Sequence, residues 1–358
     1  MKPTQQLHDL GQSLWLDNIT RPMLDEGVLA GYVEELSVTG LTSNPTIFDK
    51  AITAGDAYDA QIVEEAASVE TTEEMFFRLA IADLRRAADL FADVHERTAG
   101  VDGFVSLEVS PLLADGTAAT IEQAAQLHNQ AERENLYIKI PGTPAGLPAI
   151  EESIFAGIPI NVTLLFSTEQ YLAAADAYLK GIERRIEAGL SPDVASVASL
   201  FISRWDVAVA DEAPGELRNR LGLAVGFHAY RAYRELLDSP RMQKLMNEGA
   251  RPQRLLWAST GTKDPDASDT LYIEGFASPF TVNTMPEPTL KAFADHGTVG
   301  EPVPADGGDA DELLAQFEAA GIGIAALAER LQEEGKVAFV KSWEDLLKSI
   351  EAEREAVS

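Results

Sequence analysis

Short apolar runs alternate with longer amphipathic segments along the chain. Eight runs have the composition and spacing of β-strands, and they cover residues 13–17, 38–42, 103–109, 136–140, 158–163, 196–201, 254–258 and 280–283. The segments between them have the periodicity of helices. This alternation indicates an α/β protein with a parallel sheet, either a (β/α)8 TIM barrel or a doubly wound sheet, and the strand count favours the barrel.

The clearest predicted helix covers residues 71–94. From Phe77 to Phe91 its apolar positions recur at steps of four and three residues, which puts them on one face, and Thr71-x-x-Glu74 has the form of a capping box. About two additional helices are expected between the second and third strands. Residues 296–311 are predicted to be a loop, and a C-terminal helical tail from Glu312 is expected to pack back on the barrel. We expect one domain over residues 1–358.

The amino-acid composition and charge exclude several classes of protein. The chain has 358 residues, 46% of them hydrophobic, which suits a globular enzyme with a sizeable core. With 28 basic and 58 acidic residues its formal charge is -30, so it should repel nucleic acid and anionic membranes. The absence of cysteine excludes disulfides and thiolate catalysis. No apolar leader or membrane span is apparent, so a cytoplasmic location is expected.

One lysine interrupts the apolar run LYIKI at residues 136–140. Side chains alternate along a strand, so Tyr137 and Lys139 share one face, predicted to line the barrel near its C-terminal end, where barrel enzymes have their active sites. Burial favours the neutral amine, which attacks carbonyl groups and forms Schiff bases. The alternative is an edge-strand lysine that snorkels to solvent. From the pattern alone the two interpretations are equally favoured.

Polar residues also occur at or just after the ends of other predicted strands. They are Asp17, Asn44, Glu108, Asn161, Thr163, Ser199 and Arg204. Taken singly, each has a plain structural explanation: Asp17 as a helix cap, Asn44 as a turn residue before proline, Glu108 as a buried paired acid. Together, on a barrel, they would converge on one pocket.

This collection suits Schiff-base chemistry on a sugar phosphate. Glu108 and Thr163 could hold a water molecule that shuttles protons, and Asp17 could act as a general base during carbon–carbon cleavage. The amides and hydroxyls suit sugar hydroxyl groups. Arg204 suits a phosphate, which a guanidinium binds through paired hydrogen bonds.

At these residues the sequence resembles the transaldolases. VTGLTSNPTIF resembles the family's strand leading into T-S/T-N-P, and LYIKIPGTPAGLPAIEE resembles its active-site lysine segment. SLEVSP, GIPINVTLLFS and the tail AFVKSWEDLLKSI resemble further blocks of the family. The blocks follow the family's order and span most of the chain, in a form similar to the longer transaldolases of actinobacterial or cyanobacterial type.

The resemblance implies a TIM barrel of the class I aldolase kind that needs no cofactor and no metal. It implies transfer of a dihydroxyacetone unit from a ketose phosphate, sedoheptulose 7-phosphate or fructose 6-phosphate, to glyceraldehyde 3-phosphate or erythrose 4-phosphate in the pentose phosphate pathway. By position, Lys139 would form the Schiff base, Asp17 would act as acid and base, and Glu108 and Thr163 would hold the water. The residues implied to bind substrate are Asn44, Asn161, Ser199, Phe201 and Arg204.

One block departs from the family pattern. Many relatives have an arginine for phosphate after the seventh strand, whereas this chain has WASTGTKDP at residues 257–265. Lys263 could replace that arginine, or Ser259 and Thr260 could bind phosphate through hydroxyls and backbone amides.

Other functions are weighed against this one. A sugar-phosphate aldolase without transfer is disfavoured by the chain length and by Glu108, and a non-catalytic binding barrel is disfavoured by Lys139, Asp17 and Glu108 occurring together. A metal enzyme is disfavoured because the five histidines include no close pair. Small-molecule sugar phosphates are the expected partners, and a monomer or homodimer is the expected state.

Overall fold

A ring of eight parallel strands lies at the centre of the computed structural model, which describes residues 1–357. The strands are β1 (Ser13–Asp17), β2 (Val38–Thr42), β3 (Val105–Glu108), β4 (Leu136–Pro141), β5 (Ile160–Leu165), β6 (Ser196–Phe201), β7 (Arg254–Ala258) and β8 (Val282–Met285). They pair in the order β2-β1-β8-β7-β6-β5-β4-β3. The predicted TIM barrel is confirmed.

Helices alternate with the strands and cover the outside of the ring, except that the last helix crosses its C-terminal end. They are α1 (Pro3–Asp9), α2 (Arg21–Asp25), α3 (Val28–Leu36), α4 (Pro45–Thr53), α5 (Asp59–Glu65), α6 (Thr72–Leu90), α7 (Ala92–Arg97), α8 (Thr117–Ala131), α9 (Gly146–Ala156), α10 (Thr168–Glu187), α11 (Ser203–Ala208), α12 (Leu221–Asp238), α13 (Pro240–Asn247), α14 (Leu271–Gly275), α15 (Glu287–His296), α16 (Ala310–Ala319) and α17 (Ile324–Val357). Short 3-10 turns lie at Pro111–Leu113 and Gly215–Leu217. None of the helices in residues 1–357 combines the length and the apolar character needed to cross a membrane.

The predicted extra helices and helical tail are present, with changed bounds. Four helices, α4 to α7, lie between β2 and β3, and the tail begins at Ala310. The helix predicted over residues 71–94 is divided at Phe91 into α6 and α7. Thr71 caps α6 by accepting from the Glu74 amide at 3.1 Å, but the Glu74 carboxylate accepts from the Glu70 amide, one residue before the capping-box position.

Two predicted strands are displaced by two residues. β5 covers 160–165 rather than 158–163, and β8 covers 282–285 rather than 280–283. At Phe280 the backbone is in the left-handed region (φ 63°) and the side chain is exposed, so the chain turns there before the strand begins. β3 covers 105–108 rather than 103–109, and its later start follows Gly103, which also has a positive φ, 83°.

Side chains alternate between the interior of the ring and the helices as predicted for β4. Tyr137 points inward and stacks on Phe104 with ring centroids 4.1 Å apart, and Trp15 lies 6.0 Å from Tyr137. Ile138 and Ile140 belong to the larger core between strands and helices. Aromatic side chains thus fill the lower part of the barrel, and polar side chains are left at the C-terminal end.

Two backbone hydrogen bonds close the ring between β2 and β3. The Leu41 amide donates to the Phe104 carbonyl at 3.0 Å, and the Gly103 amide donates to the Thr39 carbonyl at 3.1 Å. These bonds join the two ends of the strand order and complete the barrel.

Gly40 permits this closure. A Cβ atom at Gly40 would lie 2.6 Å from the Phe104 carbonyl oxygen and 2.6 Å from the Trp15 indole nitrogen. Both neighbours are held in place, one by the backbone of the adjoining segment and the other by a 2.8 Å hydrogen bond to Asp102. Only glycine fits at this position without moving β2 away from the segment that leads into β3.

Gly40→Ala is therefore expected to destabilise the protein by about 1–3 kcal/mol, the usual effect of overpacking a core. Urea unfolding measures the change. Gly31→Ala in α3 is the matched control, because nothing lies within 4 Å of its added methyl group. The control should be more stable by roughly 0.5–1 kcal/mol, since glycine inside a helix is unfavourable. Equal stabilities of the two variants would contradict the proposed close contact.

Candidate active site

Lys139 lies inside the C-terminal end of the barrel with its ammonium group paired. Its strand, β4, pairs with β3 on one side and β5 on the other, and the side chain is 6% exposed. Nζ donates to the Ser43 carbonyl at 2.9 Å and to Glu108 Oε2 at 3.2 Å. Because β4 is not an edge strand, the snorkelling interpretation of Lys139 is wrong.

Glu108 sits next to Lys139 because the two residues are direct neighbours in the β3–β4 register. Its side chain is also buried, at 7% exposed. The explanation of Glu108 as a buried paired acid is therefore correct, and its partner is the candidate nucleophile.

Three strands orient the carboxylate of Asp17, which is half-buried at the end of β1. The Thr42 hydroxyl donates to Asp17 Oδ1 at 2.7 Å, and Thr284 Oγ1 lies 2.7 Å from Thr42 Oγ1. A hydroxyl has only one proton to donate, so Thr284 must donate to Thr42 while Thr42 donates to Asp17. Asp17 does not cap α2, because the cap is Thr20, which accepts from the Met23 amide.

A second polar group lies deeper in the barrel, beside the lysine. Asn161 is the direct neighbour of Lys139 on β5 and is fully buried. Its Nδ2 donates to Ser106 Oγ at 3.2 Å, and its Oδ1 accepts from Ser199 Oγ at 2.7 Å. Ser199 reaches the open pocket, so these contacts hold it in place from below.

The pocket above these residues has a volume of about 340 Å³. The predicted site residues that line it are Asp17, Asn44, Lys139, Thr163, Ser199, Phe201, Arg204 and Lys263. Glu108 and Asn161 lie just below the pocket, where Glu108 contacts Lys139 and Asn161 contacts Ser199. The structure thus brings the predicted residues together at the C-terminal end of the barrel.

Two pocket residues have contrasting hydrogen bonds. Asn44 caps α4, with Oδ1 accepting from the Ile47 amide at 3.1 Å, so it is a helix cap with extended backbone and not a turn residue. The Thr163 hydroxyl is buried and has no partner within residues 1–357. Since a buried hydroxyl normally has one, Thr163 is free to bind a water molecule or a substrate.

Three cations at the pocket are unpaired. Within the described chain, Arg204, Lys263 and Lys50 make no hydrogen bond or ion pair, although most basic side chains of this acidic protein do. Arg204 is half-buried after β6, and Lys263 is exposed after β7. A Cβ at Gly261 would lie 3.7 Å from the Lys263 ammonium, so Lys263 turns back toward the strand end. These groups can bind an anion without breaking an existing pair.

Burial raises the pKa of both carboxyl groups in the site. For Asp17 the loss of hydration outweighs the lowering by the Thr42 hydrogen bond and by the charges of Lys139 and Lys263. For Glu108 the loss of hydration outweighs the attraction of Lys139, and the charge of Asp17 raises the pKa further. Both groups can therefore exchange protons nearer to neutral pH than ordinary carboxyls.

Comparison with known proteins identifies the family. The model of the family described as Transaldolase/Fructose-6-phosphate aldolase matches residues 14–350. The chain belongs to this family.

Several full-length relatives of the chain are named transaldolases. A transaldolase of Thermobifida fusca (strain YX) is 47% identical over 354 residues, covering 96% of each chain. One of Arthrobacter sp. (strain FB24) is 45% identical over 359 residues, covering 98% of this chain and 96% of the relative. One of Mycobacterium tuberculosis (strain CDC 1551 / Oshkosh) is 44% identical over 352 residues, covering 96% and 94%. Membership of the family implies sugar-phosphate substrates.

Some pocket residues were not found from the sequence. Thr284 continues the inward face of β8 two residues after Val282, so correct strand bounds would have shown it. Lys50 lies one turn into α4 from Thr46, but nothing in its pattern distinguishes it from an ordinary surface lysine. The long helix α17 contributes residues that no local pattern connects to the site, namely Ala338, Phe339 and Ser342.

The raised pKa of Asp17 predicts how the stability of the folded protein depends on pH. Asp17→Asn should raise the melting temperature at pH 7, and this gain should shrink toward pH 4. The folded protein retains the Asp17 proton at pH values where the unfolded chain has released it, so native stability falls as pH rises from about 4 through the raised pKa. The amide does not titrate and avoids this loss.

Melting temperatures of the native chain and the variant between pH 4 and pH 8 provide the test. Asp56→Asn, at an exposed position on the surface, is the matched control and should show no such trend. A gain that is the same at every pH would contradict the assignment of a raised pKa to Asp17.

Proposed function

We propose that this chain is a transaldolase whose Lys139 forms a Schiff base with a ketose phosphate. The observation that carries the proposal is a buried lysine 3.2 Å from a buried carboxylate, below a pocket whose walls carry the unpaired cations Arg204 and Lys263. The pair supplies a nucleophile with a proton acceptor, and the cations supply a site for phosphate. Full-length relatives named transaldolases support the same function.

Formation of the Schiff base begins with attack of the Lys139 amine on the ketone carbon. Glu108 is the nearest base and, with its raised pKa, can take a proton from Lys139 and return it to the leaving hydroxyl. A water molecule held by Glu108 and the unpartnered Thr163 hydroxyl would carry protons during loss of water from the carbinolamine. The product is an iminium ion that withdraws electrons from the neighbouring carbon atoms.

Cleavage of the sugar then needs a base at the hydroxyl beyond the bond that breaks. Asp17 has this role in the proposal because its carboxylate faces the pocket and is held by Thr42. It removes the hydroxyl proton, the carbon–carbon bond breaks, and the aldose phosphate leaves. The three-carbon unit stays on Lys139 as an enamine until an acceptor aldehyde phosphate enters and the steps run in reverse.

Substrate binding is assigned to the remaining predicted residues, which line the pocket or, in the case of Asn161, lie just below it. Asn44, Asn161 and Ser199 would hold the hydroxyls of the dihydroxyacetone unit, and Phe201 would pack against its carbon chain. Arg204 and Lys263 would bind the phosphate, with Lys263 in place of the arginine that many relatives carry. A single domain, a monomer or homodimer, a cytoplasmic location and the lack of nucleic-acid binding stay predictions from the sequence.

Borohydride trapping tests the nucleophile. After incubation with fructose 6-phosphate and reduction, the peptide containing Lys139 should carry a three-carbon adduct by mass spectrometry. Lys139→Ala should lose both the adduct and the activity, because no other amine replaces Nζ at the pocket floor. Lys341→Ala, on the exposed face of α17, is the control and should keep both. An adduct on any other lysine, or none, would refute the assignment.

The same experiment separates the role of Asp17 from that of Lys139. Asp17→Asn should still form the Schiff base but cleave slowly, so the trapped adduct should carry the intact six-carbon sugar phosphate. Loss of all adducts would assign Asp17 to Schiff-base formation instead. Rates with and without glyceraldehyde 3-phosphate then distinguish transfer from simple release by an aldolase.

The phosphate site makes a separate prediction. Arg204→Ala should raise KM for fructose 6-phosphate by about 10- to 100-fold, the value of one charge-assisted hydrogen bond. Lys263→Ala should raise it less, because an exposed ammonium is a weaker partner than a half-buried guanidinium. Lys244→Ala, an exposed lysine remote from the pocket, should leave KM unchanged. Steady-state kinetics with an acceptor present measure all three, and an unchanged KM in Arg204→Ala would exclude Arg204 from the site.

A further inference from the structure

Helix α17 crosses the mouth of the barrel and is attached on the side of β4 and β5. Gln332 Nε2 donates to the Leu164 carbonyl at 2.9 Å and to the Gly142 carbonyl at 3.2 Å, which lie in β5 and just after β4. Both acceptors belong to the backbone of the barrel rim. The helix is therefore fixed to the same rim that carries the candidate nucleophile.

The next turns of the helix are attached on the opposite side of the crossing. The Thr46 hydroxyl of α4 donates to Ser342 Oγ at 2.9 Å. Trp343 is buried against Phe76 and Phe77 of α6, with ring centroids 5.0 and 5.6 Å away. With contacts on both sides, this part of α17 forms a fixed bridge.

The residues that face the mouth differ from the rest of the helix face. Steps of three, four and three residues connect Gln332, Gly335, Phe339 and Ser342, so they share one face. Beyond them on either side, that face continues with the buried apolar residues Ala328, Leu331, Leu346 and Ile350. The amphipathic pattern thus changes only where the helix passes over the pocket.

Gly335 brings the helix close to the rim. A Cβ at this position would lie 3.0 Å from a Leu164 methyl carbon and 3.5 Å from the Phe166 ring. Glycine inside a helix is unfavourable by roughly 0.5–1 kcal/mol, so its presence here accompanies a close approach. That approach lowers Phe339, one turn further along, into the mouth.

Phe339 lies over the candidate nucleophile. Its ring centroid is 6.0 Å from Lys139 Nζ, and the half-buried ring lines the pocket. An aromatic ring at this distance has no proton to offer and occupies space that water would otherwise fill. It also tolerates the positive charge that the nitrogen keeps as an iminium ion.

We propose that Phe339 is a specificity-determining residue that shields the Lys139-bound intermediate from water and so favours transfer over release. The inference rests on the proposed Schiff base at Lys139. In the competing reaction, the enamine carbon takes a proton and water adds to the iminium carbon. The carbinolamine then collapses, the carbon–nitrogen bond breaks, and dihydroxyacetone leaves with Lys139 restored as the amine. The net change is uptake of one water molecule, so excluding water suppresses this branch and leaves the enamine for an acceptor aldehyde.

Removing the ring should open this branch. In Phe339→Ala the ratio of dihydroxyacetone release without acceptor to transfer with glyceraldehyde 3-phosphate should rise by roughly tenfold, equivalent to about 1.4 kcal/mol between the two barriers. Phe339→Leu, which keeps an apolar group there, should show a smaller rise. Val337→Ala is the matched control, since this side chain is 60% exposed on the same helix, and its ratio should equal the native one.

Trapping with borohydride accompanies each rate measurement. A Phe339→Ala protein that keeps the Lys139 adduct and the native ratio would overturn the shielding role. If that variant does not fold, Gln332→Ala provides the test. Loss of its two hydrogen bonds to the rim should also raise the ratio of dihydroxyacetone release to transfer. An unchanged ratio in Gln332→Ala would refute the inference. Absence of any adduct in the native chain would instead refute the proposed function and this inference together.

Discussion

The ion pair between Lys139 and Glu108 is the interaction around which the site is built. Burying either charge alone would cost several kcal/mol, and even a well-formed buried pair often contributes no more stability than apolar residues of the same size. The pair is therefore not a source of stability, and it persists only if the fold holds both groups in good geometry. The barrel does so by fixing the two residues as neighbours in the β3–β4 register and by adding the Ser43 carbonyl as a third partner.

That third partner depends on how the barrel closes. Ser43 follows β2, and β2 approaches β3 only because Gly40 leaves room for the Phe104 carbonyl. The Ser43 hydroxyl then donates to the Ser106 carbonyl at 2.7 Å, which holds the turn after β2 against β3. The close contact at Gly40, three residues before Ser43, thus determines where the Ser43 carbonyl meets the Lys139 ammonium group.

Features of the fold and site that depend on neighbouring residues were predictable from the sequence, and features that depend on contacts between distant segments were not. Strand alternation is local, so the inward face of Tyr137 and Lys139 was predictable, and parallel strands of a barrel bring their C-terminal ends together. The displaced start of β8 was not predictable from apolar content, because Phe280 looks like a strand residue but turns the chain with a positive φ. Phe339 was not predictable at all, since its place over Lys139 depends on contacts between segments about 200 residues apart.

The positions of α17 and of the unpaired cations also favour one orientation of a sugar phosphate in the pocket. Helix α17 lies over the side of the mouth formed by β4, β5 and α4, whereas Arg204 and Lys263 follow β6 and β7. Two of the three unpaired cations, Arg204 and Lys263, lie together on the side of β6 and β7, while Lys50 lies alone in α4. In a chain with a charge of -30, the local attraction for a phosphate is therefore strongest toward β6 and β7. A sugar phosphate would therefore lie with its phosphate toward β6 and β7 and its ketone toward β4, beneath Phe339. The reacting carbon is then in the covered half of the pocket, while the half that exchanges aldehyde phosphates stays open.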